Sequence, residues 1–171
     1  MKNSFASLRG MNKVHARSLK LPSKTFRTRR IIMLEKSCGT IPYIIKDGIV
    51  YYLLVKSKSG GACGFPKGHV ESGEGETETA LRETLEETSV KVNINDKFRY
   101  EMSYQMGNGK QKTVVYFLAS FQDQQPKRNG DFEDFDYLML PFEKAYQALT
   151  FENTKQMLKA ANDFVINEII T

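Results

Sequence analysis

The stretch from Gly64 to Val90, "GFPKGHVESGEGETETALRETLEETSV", holds seven glutamates but only one lysine and one arginine. Gly68, Gly73 and Gly75 mark its first half as a loop, and the spacing beyond them predicts a helix from near Thr77 to about Thr88. On that helix Leu81, Thr84, Leu85 and Thr88 share one side, which is expected to face the core. Glu83, Glu86 and Glu87 share the opposite side at three- and four-residue intervals. Like charges so placed cost a helix a few tenths of a kcal/mol per pair, roughly, and no basic residue after Arg82 is interleaved to relieve them. Two explanations stand side by side: a solvated acidic face, or a set of hard oxygen donors suited to Mg²⁺ or Mn²⁺.

The sequence around this stretch is rich in strand signals. "SCGTIPYII" and "IVYYLLVKS" flank "KDG", and Asp-Gly between β-rich runs predicts a hairpin. "KFRYEMSYQ" and "KTVVYFLASF" form a second pair around "GNG", and "DYLML" is a further short strand that ends at Pro141. Near the C-terminus Met157, Leu158, Ala161, Phe164, Val165 and Ile169 recur at helical spacing, with Asn153 or Thr154 as the expected N-cap. The expected architecture is α/β in the α+β sense, a mixed β-sheet packed between two or three helices.

A chain of 171 residues is long enough for one domain with a real core. No apolar run approaches the roughly 20 residues of a membrane helix, so no membrane partner is expected. Cys38 and Cys63 lack the companions of a zinc site or a disulfide framework; they read as small buried apolar residues in a reducing compartment, and a cytoplasmic location is expected. Nine of the 25 basic residues lie in residues 1–33, which contain no acid, so the remaining chain sets 16 basic against 20 acidic residues, a formal −4. Residues 1–33 therefore read as a basic, disordered extension and 34–171 as the domain. An organelle transit peptide, a nucleic-acid-binding arm and an extension assigned from an upstream start all share the leader's composition. A secretory signal does not, for want of an apolar core.

The long acidic stretch also resembles a family signature. Gly68, Glu74 and then "RETLEETSV" from Arg82 to Val90 follow the Nudix box at nearly every fixed position. Ser89 stands where the family usually has glycine, and Thr84 where it usually has an aliphatic residue. The resemblance covers roughly residues 35 to 168. "PKGH" at 66–69, "ALRET" at 80–84, "KTVVYFLA" at 112–119 and "AYQALTFENTKQML" at 145–158 are similar to the branch of asymmetric diadenosine tetraphosphate hydrolases, and Cys63 departs from a tryptophan common there. Branches acting on ADP-ribose, inositol diphosphates or oxidised nucleotides commonly read "PGG" where this chain has "PKG".

The resemblance implies a Nudix fold and metal-dependent hydrolysis of a nucleoside polyphosphate, diadenosine tetraphosphate to ATP and AMP. It implies Mg²⁺, with Mn²⁺ as a substitute, held by Glu83, Glu86, Glu87 and the carbonyl of Gly68, with Glu133 as an added ligand or base. Asp131, Asp134 and Asp136 compete with Glu133 for that role. Arg82 is expected to orient a box glutamate, Glu86 or Glu74, and the general base lies between Glu83 and Glu133. Lys67, His69, Lys110 and Lys112 are candidate phosphate contacts, and Tyr104, Tyr116 and Phe151 candidate aromatic contacts, with core packing as the competing role for each aromatic. The expected partner is a small dinucleoside polyphosphate bound by a monomer. Two other functions compete: removal of pyrophosphate from mRNA 5′ ends or from nucleotides generally, in which the basic leader would meet RNA, and non-catalytic nucleotide sensing.

Overall fold

The computed structural model describes residues 34–107, 109–127 and 134–170. The basic leader, Asp131 and Glu133 lie outside the described residues. In chain order come β1 (Leu34–Lys46), β2 (Ile49–Ser57), β3 (Cys63–Gly64), β4 (Lys67–His69), α1 (Glu76–Thr88), β5 (Asn93–Gln105), β6 (Gln111–Ser120), β7 (Phe135–Pro141), α2 (Phe142–Ala148) and α3 (Glu152–Val165), with a closing π-helical turn, Ile166–Ile170. The Asp-Gly signal forms a two-residue hairpin loop: Lys46 pairs with Ile49, and Asp47 and Gly48 take φ of 51° and 75°, the mirror-image turn that matches strand twist.

One seven-stranded sheet runs in the order β3-β2-β1-β6-β5, with β4 joining β1 and β7 joining β2. The β1–β6 pair is parallel and the others antiparallel, so the sheet is mixed. Period-two alternation then sorts the apolar run of β6. Val114, Tyr116 and Leu118 join the cluster with Met157, Leu158, Ala161 and Val165 of α3, while Val115 and Phe117 join Ala80 of α1. Helices cover both faces, and β6 is buried from Val114 to Ala119 because it has no solvent side. Among the described residues no helix is long and apolar enough to cross a membrane.

Three local expectations are corrected. Helix α1 buries Thr79, Ala80, Thr84 and Thr88, whereas Leu81 and Leu85 remain 40% and 38% exposed. Small side chains let α1 approach β1 and β4 closely, and Thr84 repays its polarity by donating to Ala80 O at 2.7 Å while lying 2.7 Å from Thr40 Oγ1. Helix α3 starts at Glu152 with Phe151 as its N-cap, and Asn153 and Thr154 fall inside the first turn. Ile169 belongs to the terminal π-helical turn and is exposed rather than core. Both cysteines are free and buried, as expected. Burial pushes the Cys38 thiol up to about 11 and raises that of Cys63.

Candidate active site

The loop from β4 to α1 and the partly exposed face of α1 that carries Glu83, Glu86 and Glu87 form one wall of the site. Its centre is Arg82, whose guanidinium uses all five N–H groups. Nε and Nη2 grip Glu74 at 2.6 and 2.9 Å; Nη1 donates to Glu83 Oε1 at 2.8 Å and to Glu86 Oε2 at 3.1 Å; Nη2 also donates to the carbonyl of His69 at 3.0 Å. Both expected partners of Arg82, Glu74 and Glu86, are therefore engaged together with Glu83. The Arg82 guanidinium, reinforced by Thr79 Oγ1 at 2.8 Å, holds the Glu74 carboxyl at about 2. Glu74 and Arg82 form a brace across the loop, and the brace presents Glu83 and Glu86.

Helix electrostatics show what this arrangement costs. Glu76 and Glu78 in the first turn complement the positive end of α1, but Glu86 and Glu87 sit near its negative end with no basic residue in the last turn. Neither the dipole nor the like-charge spacing favours carboxylates there. Ser89, in the place of the family glycine, takes the left-handed conformation that glycine would, with φ 57° and ψ 18°, and its N–H donates to Leu85 O. The exit of the helix is preserved.

The oxygen donors suit a hard divalent cation. Gly68 is a cradle: a Cβ there would lie 2.0–2.1 Å from the Glu83 carboxylate, so only glycine lets that carboxylate lie against the backbone of β4. Arg82 engages one oxygen each of Glu83 and Glu86, leaving each a second oxygen for a cation. Glu87 turns away from this pair, its Oε2 accepting the Lys67 N–H at 3.2 Å. The three carboxylates thus line one wall without closing into a cage, and among the described residues no three His, Cys, Asp or Glu side chains gather as a ready-made metal cluster. Asp134 and Asp136, the alternatives to Glu133, pair with Lys58 at 3.1 and 3.6 Å.

Beyond Lys67 the wall opens into two adjoining clefts. One, about 370 Å³, is lined by residues that include Ser57, Cys63, Phe65, Lys67, Glu87 and Phe135; the other, about 310 Å³, by Met102, Tyr104, Val114 and Asn153. Lys67, Tyr116, Phe151 and Thr154 border both. Of the three candidate aromatics, Phe151 is 58% exposed and Tyr104 half-exposed, so neither is core. Tyr116 is a core residue that also lines both clefts: it is 4% exposed, packs edge-on against Phe65 at 6.4 Å, and forms the floor between the clefts. Burial and then the Glu87 charge push its phenol far above the usual range, keeping it neutral.

The basic candidates divide. Lys67 lies at the mouth of both clefts, and burial, with the nearby Lys67 charge, lowers Lys112. Lys112 stands beside Glu35 across the β1–β6 pair, so of the four basic candidates only Lys67 borders the clefts. Lys110 instead pairs with Glu35 at 2.9 Å, and His69, exposed, lies 3.8 Å from the same carboxylate. The structure therefore places Lys110 and His69 on the Glu35 side of the site and does not bring them to the clefts' linings. Met102 and Val114 escaped the sequence reading, although period-two alternation puts them on the same strand faces as Tyr104 and Tyr116; Thr150 left no signal.

Comparison with known proteins agrees with this geometry. The NUDIX domain family model matches residues 44–161. The chain is 34% identical over 143 residues to the rat (Rattus norvegicus) asymmetrical bis(5′-nucleosyl)-tetraphosphatase, covering 78% of this chain and 97% of that one. The crystal structure of a Caenorhabditis elegans Ap4A hydrolase binary complex superposes with a TM-score of 0.71 at 25% identity, covering 77% of this chain and 98% of that one. The NUDIX domain of Shewanella oneidensis NrtR, at 18% identity and a TM-score of 0.63 over 76% of this chain and 87% of that one, shares the fold. The Arg82-centred glutamate wall, the matched domain and these relatives lead to one conclusion: the chain belongs to the Nudix family and is a hydrolase of phosphoric anhydride bonds.

Proposed function

We propose that the chain cleaves dinucleoside polyphosphates asymmetrically, diadenosine tetraphosphate to ATP and AMP, with Mg²⁺ as its ion and Mn²⁺ as a substitute. The observation that carries this reading is the adjacency of the carboxylate wall to two clefts that share Phe151, Tyr116 and Lys67. A substrate with a nucleoside at each end of a polyphosphate needs one aromatic-lined pocket beside an anion-handling wall and room for the rest of the molecule alongside. The relatives named for this activity support the same choice.

Enzymes of this family use divalent ions. Glu83, Glu86, Glu87 and the Gly68 carbonyl would hold them here, where they supply Lewis acidity that offsets phosphate charge. The protein's own residues do the rest. Lys67 draws the polyphosphate toward the wall, and Phe151 and Tyr104 offer flat faces for a base. Arg82 keeps Glu83 and Glu86 fixed, so no reorganisation is needed when charge develops on the leaving phosphate. The proton of the attacking water passes to the general base, for which Glu83 and Glu133 are the two candidates. One water is consumed for each anhydride bond broken.

The test is a product analysis with diadenosine tetraphosphate, nucleoside triphosphates and triphosphorylated RNA, with Mg²⁺ and after chelation. Equimolar ATP and AMP, abolished by chelation, is the expected result. Two ADP per dinucleotide would overturn the asymmetry, and cleavage of RNA ends alone would overturn the substrate.

A further inference from the structure

We infer that Thr150 is a positioning residue for the nucleotide subsite: by clipping β3 to the start of α3, it holds Phe151 as the partition between the two clefts. The clip has two points. The Cys63 N–H donates to Thr150 Oγ1 at 2.8 Å, and the Thr150 N–H donates to Cys63 O at 3.1 Å. In the β2–β3 ladder Lys56 lies opposite Cys63, and the neighbouring bond, Ser57 N–H to Ala62 O, leaves the polar groups of Cys63 turned away from β2. Cys63 is 3% exposed, so little water is at hand to satisfy them. The threonine hydroxyl stands where the carbonyl of a paired strand would otherwise be.

The residue after this clip is one of the four that border both clefts. Phe151 is the most exposed large apolar side chain among the described residues, a placement its own hydrophobicity opposes. Its backbone is held on both sides: Thr150 anchors the chain before it, and its carbonyl accepts the N–H groups of Thr154 and Lys155, both at 3.1 Å. No side-chain cap closes the start of α3, so this backbone clamp carries the junction. The other half of the clip leads through Phe65 and Pro66 to Lys67 and Gly68. Thr150 therefore ties the aromatic partition to the loop that supplies the anion contact and the Gly68 cradle.

The inference rests on the proposed function only in taking Phe151 as a substrate contact. The experiment accordingly uses whichever anhydride the product panel identifies as the best substrate, which separates a wrong substrate from a wrong role for Thr150. Thr150→Val keeps the shape and removes the acceptor. It is expected to raise KM about three- to tenfold, the scale of one lost hydrogen bond, with kcat within about twofold of wild type. Thr150→Ser is expected to restore KM. Phe151→Ala is made in both backgrounds, and the double variant Thr150→Val/Phe151→Ala is expected to show no higher KM than Phe151→Ala alone. Should the valine variant not fold, Thr150→Ala takes its place in the same cycle. A purely structural role would lower the melting temperature without moving KM, and that result overturns the inference. So does a KM increase of equal size when Phe151 is already absent.

Discussion

Replacing Arg82 by lysine keeps the charge and removes the geometry, so it asks whether the brace itself matters. An ammonium has three donors where the guanidinium uses five N–H groups on Glu74, Glu83, Glu86 and the His69 carbonyl. At least two bonds are lost, and at about 1 kcal/mol net for each at this partly exposed site the expected destabilisation is about 2 to 3 kcal/mol. For a domain of this size that corresponds to a fall of roughly 4 to 12 °C in melting temperature. Turnover should fall further than stability suggests, about a hundredfold, because Glu83 and Glu86 lose the anchor that sets their positions to within about 1 Å. The pH dependence has a defined sign. The Glu74 carboxyl is held at about 2, below its ordinary 4.5, so its contribution to stability is present above pH 4.5 and is lost as the pH falls toward 2. With lysine at position 82 that loss should be smaller and complete at a higher pH, since the bidentate grip no longer opposes protonation of the folded-state carboxyl. Urea melts from pH 7 to pH 3 and initial rates at saturating Mg²⁺ measure both effects. A variant with wild-type kcat and a lowered melting temperature would refute the claim that the brace orients the catalytic carboxylates.

Three further outcomes are expected. Glu87→Gln should reduce turnover with Mg²⁺ at least about a thousandfold, the scale of a principal electrostatic element, and near-normal rates in a steady-state assay would remove Glu87 from the ion site. Gly68→Ala places a methyl group 2.0–2.1 Å from the Glu83 carboxylate and must displace it; activity should be lost in a protein whose circular dichroism and cooperative melt are retained, and an active variant would show that Glu83 need not lie on Gly68. A protein beginning at Met33 is expected to fold and to hydrolyse diadenosine tetraphosphate at nearly the full-length rate, because nine tail charges act at long range and are screened over about 8 Å at physiological salt. Rates of both forms on dinucleotide and RNA, at low and moderate salt, decide the point: a large loss on the dinucleotide ties the leader to the site, and a salt-sensitive loss on RNA alone favours RNA as substrate.

Much of the site could be read before the fold because its chemistry is local in sequence. Gly68, Glu74, Arg82, Glu83, Glu86 and Glu87 lie within twenty residues, and helical periodicity alone aligns the last three. The hairpin at Asp47-Gly48 was legible for the same reason, since the turn conformation is a property of the two residues in it. The facing of α1 was not. Hydrophobicity assigns Leu81 and Leu85 to the core, but the helix turns Thr79, Ala80, Thr84 and Thr88 inward, because the approach of Glu83 to Gly68 demands a short helix–sheet distance that leucines would prevent. Lys110 shows the same limit: its charge suggested a phosphate contact, and only the parallel β1–β6 pairing, which sets Glu35 beside Lys112, reveals the carboxylate that engages it.

By itself, then, the order of residues determined the helix, its carboxylate face, the arginine beside it and the turns, because each depends on bonds and spacings within a few residues. The tertiary structure alone decided which oxygens Arg82 holds, that Tyr116 forms the floor of two clefts, and that Thr150 fastens Phe151 to a strand 87 residues earlier in the chain. Those contacts join segments far apart in sequence, and their partners are selected by strand register and helix placement, which no local pattern encodes.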